Sequence, residues 1–263
     1  MQQIIDLDQY PLDRLDSDAG RALVARCRED IARDGLFNLA GLLRPEVIGD
    51  LLAQLKPLIA NASFTHRRRH NVYFLPEVDG LAADHPALAE LETVNHTVCA
   101  DQFPGNALMQ LYRWQPFIDF LASVMQKPRL YPMSDPLACL NVMAYRDGEA
   151  LNWHFDRSEF TTTLLLQAAD EGGEFEYCTG LRSDDDPNYD GVGEFLRGEQ
   201  AEAHRLTLSP GTLNVFRGKN TLHRVSPVRG TGERIIAVFT YYERPDVRFS
   251  DEENIGFYGR ANG

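Results

Sequence analysis

The chain of 263 residues contains few cysteines and few basic side chains, and it has no long run of apolar residues. Its four cysteines, Cys27, Cys99, Cys139 and Cys178, are widely spaced and form no C-x-x-C pair. This spacing excludes a disulfide framework and the usual zinc modules. No apolar stretch approaches the length that a bilayer requires, and the first residues lack a basic segment followed by an apolar one. We therefore expect a cytoplasmic protein without a membrane partner.

Basic residues are outnumbered, because 26 Lys and Arg stand against 39 Asp and Glu and give a formal charge of −13. Such an excess argues against nucleic acid as a general partner, since phosphate backbones are bound by clustered cations. The one basic cluster is Arg67-Arg68-Arg69, with His66 and His70 beside it. Its pattern is compatible with a solvated turn or with an anion contact near a functional site.

The composition is that of a core-forming globular protein, with 43% hydrophobic and 25% charged residues. In the first half, apolar residues recur at helical spacing from Ser17 to Arg33 and again after Pro45. We also predict helices from His85 to Cys99 and from Gln115 to Met125. Two short strands are predicted in this half, at residues 36–39 and 71–75.

From Ala138 onward the chain consists of short apolar or alternating runs separated by Gly, Pro, Asp and Asn, which is typical of all-β structure. The eight predicted strands are Cys139–Arg146, Trp153–Asp156, Phe160–Gln167, Glu174–Cys178, His204–Leu208, Thr212–Arg217, Leu222–Val228 and Arg234–Tyr242. Eight such strands suit a jelly roll. We therefore expect a mainly β protein with helical additions (α+β). Its core would be a cupin-like double-stranded β-helix (jelly roll) over about 138–263, flanked by a helix-rich N-terminal part over about 1–137. Both parts would form a single domain of residues 1–263. The long insertion from Arg182 to Arg197 is expected to be a lid.

The run Asn152-Trp153-His154-Phe155-Asp156 and the later run Leu222-His223-Arg224-Val225 carry the candidate metal ligands. Residues i and i+2 of a strand point to one face, so His154 and Asp156 can hold the same ion. His223 would complete a two-His, one-carboxylate facial triad, which leaves coordination positions open on iron. A single His in a strand is more often a hydrogen-bonded core residue, and His-x-Asp alone is a weak motif. The combination with Arg234 in another apolar strand favours a metal site.

These residues resemble the Fe(II)/2-oxoglutarate-dependent oxygenase superfamily. Within it, the chain is similar to the HalD/BesD-like group of free-amino-acid hydroxylases and halogenases, which are related to the lysine halogenases. The narrower resemblance rests on five segments, residues 153–160, 172–177, 187–191, 223–230 and 256–260. It runs from about Asn141 to the C-terminus and is diffuse before that point.

The resemblance implies Fe(II) as cofactor, with 2-oxoglutarate and O2 as co-substrates. It assigns Arg234 to the distal carboxylate of 2-oxoglutarate, which a planar guanidinium binds through two parallel hydrogen bonds. The alternative for Arg234 is a surface ion pair with Glu233 or Glu243. Asn141 and Tyr145 are further candidates for co-substrate contact.

Halogenating members of the group have a small residue in place of the carboxylate ligand, so that halide can occupy its position. Because Asp156 fills this position, the resemblance implies hydroxylation with release of succinate and CO2.

The expected substrate is a small molecule, most plausibly a free amino acid, with a lysine-like one favoured. Its carboxylate and ammonium would require an Arg and an acidic or carbonyl group. The candidate contacts are Arg69, Trp153, Arg157, Glu159, Thr240 and Tyr258, although packing alone is the better reading of Trp153, and Arg157 can equally brace the metal-binding strand. An acid for a lysine side chain can come from residues 184–190 if that loop closes.

Two alternatives remain open. A prolyl-hydroxylase-like oxygenase acting on a protein side chain would use the same triad and arginine. A non-catalytic, cupin-like metal binder would keep the ligands but give Arg234 no role. The sequence is compatible with a homo-oligomer.

Overall fold

The computed structural model describes residues 1–199 and 202–261. Its helices are α1 (Asp18–Asp34), α2 (Pro45–Ala62), α3 (Ala107–Arg113), α4 (Gln115–Val124), α5 (Tyr189–Arg197) and α6 (Asp251–Tyr258), with 3-10 turns at Pro86–Leu88 and Ala100–Gln102. Its strands are β1 (Leu36–Leu39), β2 (Phe64–His70), β3 (Leu91–Cys99), β4 (Tyr131–Pro132), β5 (Leu140–Tyr145), β6 (Leu151–His154), β7 (Thr161–Gln167), β8 (Glu171–Gly172), β9 (Phe175–Cys178), β10 (His204–Leu206), β11 (Leu213–Phe216), β12 (Leu222–Val225), β13 (Val228–Arg229), β14 (Arg234–Phe239) and β15 (Tyr241–Tyr242).

Two antiparallel sheets form the centre of the fold. The larger sheet has the strand order β1-β11-β7-β14-β5-β3-β2, and the smaller has the order β10-β9-β12-β6. Side chains from both sheets line one cavity between them. This arrangement is the jelly roll predicted from the sequence.

Strand alternation separates the two faces of the larger sheet. In β14, Ile235, Ala237 and Phe239 belong to the main hydrophobic core, which also contains the apolar faces of α1 to α4. The intervening residues Arg234 and Ile236 line the space between the sheets. Because successive side chains of a strand point to opposite faces, one strand contributes both to the core and to the site.

The ends of α1 follow from local sequence. Ser17 caps its first turn by accepting a hydrogen bond from the backbone N–H of Gly20. The helix ends at Gly35, whose φ of 76° lies in the left-handed region that glycine adopts without steric cost. This turn leads directly into β1 at the edge of the larger sheet.

The eight predicted strands of the second half are confirmed, with the last two divided into β12 with β13 and β14 with β15. Two predictions for the first half are wrong. The segment predicted as a helix from His85 to Cys99 forms a 3-10 turn and then β3, in which Thr and Val at 93, 94, 97 and 98 favour extended backbone. Residues 71–75 form a turn and not a strand. The basic cluster lies in β2, which excludes the solvated turn and leaves the other reading, an anion contact near the site.

The first half contributes more to the jelly roll than the predicted boundary near residue 137 implies. Strands β1, β2 and β3 complete both edges of the larger sheet. The division at 137 itself stays a prediction. No helix in the described ranges is long and apolar enough to cross a membrane.

A buried carboxylate fixes the C-terminal segment to the start of β5. Asp135 is fully buried, and it accepts hydrogen bonds from the backbone N–H groups of Leu137 and Ala138 at 2.9 and 3.0 Å. Its other oxygen accepts from the backbone N–H of Phe249 at 3.2 Å and from the Asn254 side chain at 3.0 Å. Burial alone would raise the pKa of Asp135, but these donors outweigh it and hold the pKa below its ordinary value.

We expect Asp135→Ala to lower the free energy of unfolding by about 3 kcal/mol, because it leaves buried donors without an acceptor. A group with a lowered pKa stabilises the fold above its unfolded pKa of about 4 and loses that contribution in acid. The difference from wild type should therefore shrink as the pH falls. Urea unfolding at neutral and acid pH measures both effects. The exposed Asp8 provides the control Asp8→Ala, and an equal loss in the two variants would contradict the role of Asp135.

Candidate metal centre

The smaller sheet brings the three predicted ligands together. His154 ends β6 and His223 lies in β12, and the antiparallel register places the two residues directly opposite each other. The Nε2 atoms of His154 and His223 lie 3.2 and 3.5 Å from the two carboxylate oxygens of Asp156. Ligand atoms of all three residues lie within 4.8 Å of one another, so one ion can contact all of them.

Backbone carbonyls orient both imidazoles. The Nδ1 atom of His154 lies 2.7 Å from the carbonyl oxygen of Asn152, and that of His223 lies 2.9 Å from the carbonyl oxygen of Thr221. Since a carbonyl only accepts, each Nδ1 carries the proton and donates it. Each Nε2 therefore presents a lone pair towards Asp156, which is the tautomer that a metal ligand needs.

Asp156 is held by the residues around it. The Thr161 hydroxyl donates to the Asp156 carboxylate, and the backbone N–H of Asp156 donates to the carbonyl of Gly218 at 3.0 Å. A Cβ atom at position 218 would lie 2.4 Å from the Asp156 Oδ2 atom. Glycine at 218 therefore leaves the space that the carboxylate occupies.

The protonation states match a metal site. Burial lowers the pKa of His154, and the neighbouring His223 lowers it further. Burial would raise the pKa of Asp156, but a proton on the neighbouring imidazole of His223 or His154 favours the carboxylate and lowers this pKa well below the ordinary range. At neutral pH the set therefore offers a neutral imidazole at 154 and a carboxylate at 156, which are the forms that bind a divalent ion.

An inner cavity of about 160 Å³ lies between the sheets, and all three ligands are among the residues that line it. Arg234 also lines it, with only 3% of its surface exposed. Its Nε donates to the carbonyl of Gly173 at 2.7 Å, whereas its Nη1 is buried without a hydrogen-bond partner. Burial lowers the pKa of Arg234 to about 10, and no carboxylate pairs with it in the described part of the chain.

An unpartnered buried guanidinium is costly unless an anion compensates it. Arg234 therefore fits the distal carboxylate of a 2-oxo dicarboxylic acid whose other end reaches the metal. Tyr145 lies opposite Arg234 in the β5–β14 register, with its ring 5.9 Å from the guanidinium, and lines the same cavity. The predicted surface ion pairs of Arg234 are absent, since Glu233 pairs with Arg146 and Glu243 with Lys127.

A second, outer cavity of about 240 Å³ shares Met143, Tyr145, Leu151, His154 and Asp156 with the inner one. Its other lining residues come mainly from β2, β3 and the C-terminal helix: His66, Arg68, His70, Phe74, Thr93, Asn95, Phe155, Arg157 and Phe257. A molecule in the outer cavity would lie beside the metal ligands.

The sequence indicated the β2 side of this cavity through its basic cluster, but the wrong arginine was chosen. In the segment His66-Arg67-Arg68-Arg69-His70, burial alternates so that His66, Arg68 and His70 turn inward. Arg69, the predicted substrate contact, turns outward and donates to the backbone carbonyl of Glu90 at 2.8 Å. Once the cluster is recognised as a strand, the period of two identifies Arg68 in its place.

Three other predicted substrate contacts lie away from both cavities. Trp153 points outward from β6, where it packs on Phe195 and under the guanidinium of Arg224. Glu159 pairs with Lys127. Thr240 has its carbonyl bonded to the Tyr112 hydroxyl. The structure therefore does not bring these three residues to the site.

Asn141 and Tyr258 form a pair with each other. The Tyr258 hydroxyl donates to the Asn141 side chain at 2.9 Å, and the Asn141 amide donates to the carbonyl of Leu137 at 2.7 Å. Asn141 lies on the same face of β5 as Tyr145 but lines neither cavity. Of the predicted contacts, Arg157 lies at the outer cavity, exposed, with its Nη1 3.3 Å from Glu253.

The insertion from Arg182 to Arg197 packs beside the site and lines neither cavity. Helix α5 buries Val192 and Phe195 in a hydrophobic cluster with Phe155 and Leu222. The Arg182 guanidinium lies 4.8 Å from the Phe155 ring. In this structure the insertion therefore supports the strands that carry the ligands, and it does not cover a cavity as a lid would.

Solved structures share this fold at low sequence identity. An oxidoreductase of the 2OG-Fe(II) oxygenase family from Burkholderia pseudomallei is 16% identical, with a TM-score of 0.51 over 84% of this chain and 91% of its own. A Pseudomonas putida prolyl-4-hydroxylase is 15% identical, with a TM-score of 0.51 over 84% and 99%. The non-heme alpha ketoglutarate dependent carbocyclase SnoK from nogalamycin biosynthesis is 12% identical, with a TM-score of 0.57 over 90% and 93%. These likenesses establish the fold.

No curated protein matches the chain. The model of one protein family, described as Halogenase D, matches residues 19–254, which extends far beyond the stretch from Asn141 on which the resemblance was based. The match confirms that resemblance: the chain belongs to the Halogenase D family.

Proposed function

We propose that the protein is an Fe(II)- and 2-oxoglutarate-dependent oxygenase that hydroxylates an unactivated C–H bond of a free amino acid. The observation that carries this proposal is a single cavity lined both by the donor set His154, Asp156 and His223 and by Arg234, whose buried Nη1 has no partner. A metal binder without catalysis would have no use for Arg234. A 2-oxo acid that chelates the iron explains both features at once.

Bound iron and 2-oxoglutarate would supply the oxidising chemistry, in which one oxygen atom of O2 enters the substrate and the other enters succinate as CO2 leaves. His154, Asp156 and His223 would hold the ion and leave open positions on one side of it. Arg234, with Tyr145 beside it, would orient 2-oxoglutarate. The apolar walls of the inner cavity, such as Ile236 and Phe216, would exclude water from the reacting atoms.

The substrate would occupy the outer cavity, with its carboxylate on Arg68. This guanidinium is half-buried, lines the cavity and lies 4.4 Å from the Phe74 ring. Its neighbours Arg67 and Arg69 pair outward with Glu92 and Glu90, and Arg68 itself has no acidic partner in the described ranges. Arg68 therefore replaces the predicted Arg69 in the proposal.

The outcome of the reaction follows from the ligand at position 156. The family is described as a halogenase family, and a halide needs an open place where the carboxylate would bind. Because Asp156 lies between both imidazoles, we propose hydroxylation as the reaction of this chain.

The direct test loads the purified protein with Fe(II) and 2-oxoglutarate without O2, adds a panel of free amino acids and then admits O2. We expect succinate together with a product that has gained one oxygen atom, both followed by mass spectrometry. Absence of succinate with every amino acid, despite bound metal, would favour the non-catalytic binder. A product only with proline-containing peptides would favour the prolyl-hydroxylase-like alternative.

Replacing Arg234 with Lys should raise the KM for 2-oxoglutarate by about 30-fold, equivalent to about 2 kcal/mol, because an ammonium cannot form the paired hydrogen bonds of a guanidinium. Steady-state succinate formation measures this effect. Arg229→Lys, at an exposed position of β13, is the matched control. An unchanged KM in Arg234→Lys would remove Arg234 from the co-substrate site.

Replacing Asp156 with Gly should abolish hydroxylation, because the ion loses its only carboxylate ligand. The product is measured with and without added chloride, so that a chlorinated amino acid is detected if halide takes the vacated position. Asp184→Gly, on the exposed surface, serves as control. Turnover of Asp156→Gly at the wild-type rate would show that Asp156 is not a ligand.

A further inference from the structure

The outer cavity carries an excess of positive charge. Two arginines, Arg68 and Arg157, line it, and Asp156 is the only carboxylate among its lining residues. That carboxylate is committed to the imidazoles of His154 and His223. A substrate in this cavity therefore meets two cations and no free acid in the described ranges.

Because Arg68 is half-buried, a nearby anion would stabilise its positive charge more than it would at an exposed position. Desolvation lowers the pKa of Arg68, and the nearby Arg157 lowers it further. The Phe74 ring contacts the guanidinium but supplies no negative charge to neutralise it. A carboxylate brought by the substrate would compensate both arginines.

Arg157 can exchange its contact with Glu253 for a contact with a substrate carboxylate. Its contact with Glu253 spans 3.3 Å between side chains that are 78% and 38% exposed, and ion pairs of this kind contribute little. The other carboxylate oxygen of Glu253 accepts from the backbone N–H of Ser250 at 3.0 Å, so Glu253 has a second role at the start of α6. A substrate carboxylate can therefore bind Arg157 without leaving Glu253 unpaired.

The buried His70 does not supply an acceptor for an ammonium group either. His70 has its pKa lowered to about 4 by burial, and its two ring nitrogens are engaged by the Asn71 carbonyl and the Thr93 hydroxyl. The acids of the insertion lie elsewhere, since Asp184 pairs with Lys219 on the surface. The lysine-like substrate expected from the sequence thus finds no free carboxylate for its second ammonium among the residues that line the cavity.

We propose that the outer cavity selects an amino acid whose side chain carries a second acidic group, with one carboxylate on Arg68 and the other on Arg157. This inference rests on the proposed function and specifies its substrate class. At neutral pH such a molecule brings a net negative charge between two arginines, whereas a lysine adds a further cation to them. In a partly desolvated cavity, repulsion between like charges would therefore disfavour lysine relative to an acidic amino acid.

The test compares glutamate, glutamine and lysine as substrates of the protein loaded with Fe(II) and saturating 2-oxoglutarate. Glutamate and glutamine have nearly the same shape and differ in charge. We expect the kcat/KM for oxygenated product to be at least tenfold higher for glutamate than for glutamine. If the shorter acid is the better substrate, the same difference should separate aspartate from asparagine. Lysine should give the lowest value. Anaerobic calorimetry with the same amino acids measures binding independently of turnover.

Two variants assign the effect to Arg157. Arg157→Glu should remove the preference for the acid over the amide and improve lysine, whereas Arg69→Glu makes the same charge change on the outward face of β2 and should leave the preference intact. Better turnover and binding of glutamine or lysine by the wild type would overturn the inference while leaving the proposed function in place. If the wild type, Arg157→Glu and Arg69→Glu all preferred the acid over the amide to the same extent, Arg157 would not belong to the substrate site. No oxygenated product from any amino acid would instead overturn the proposed function, and this inference with it.

Discussion

The site depends on one pairing in the smaller sheet, the register that places His154 of β6 opposite His223 of β12. Residues opposite each other across antiparallel strands have side chains in close contact, and here the two imidazole centres lie 4.2 Å apart. Asp156 adds the third ligand from the segment just after the end of β6, where its backbone N–H is bonded to the carbonyl of Gly218. A slip of one residue in this pairing would separate the imidazoles and turn one of them to the outer face.

Around this pairing, hydrogen bonds with neighbouring groups hold the three ligands in place. Carbonyl groups hold the Nδ1 atoms of both histidines, and Thr161 holds the carboxylate. Two arginines lack an anionic partner, since Arg234 has an unpartnered nitrogen and Arg68 has no acidic partner in the described ranges. In the proposed function, Arg234 would bind the co-substrate in the inner cavity and Arg68 the substrate in the outer one. The overall charge of −13 does not describe this interior, which is locally positive at the outer cavity.

The sequence predicted the jelly roll and the convergence of the ligands because both depend on strand alternation, a local property with a fixed period. It failed where a local pattern was ambiguous. Pro86 and the apolar residues after it suggested a helix, yet the β-branched residues of β3 and pairing with β2 and β5 favoured a strand. The same error concealed β2, and with it the inward position of Arg68. Asn141 was placed at the co-substrate by resemblance, but its amide is occupied by Leu137 and Tyr258, contacts that arise only in three dimensions.

The close approach of Gly218 to Asp156 links two positions that lie far apart in the chain. A methyl group at 218 would overlap the Asp156 carboxylate, while its loop leads directly into the strand that bears His223. A Cβ atom at 218 would also lie 2.5 Å from the Thr161 hydroxyl, so the side chains at 156, 161 and 218 compete for the same space. A larger residue at 218 therefore requires changes at both 156 and 161. Ligand identity and loop sequence are thus expected to diverge together.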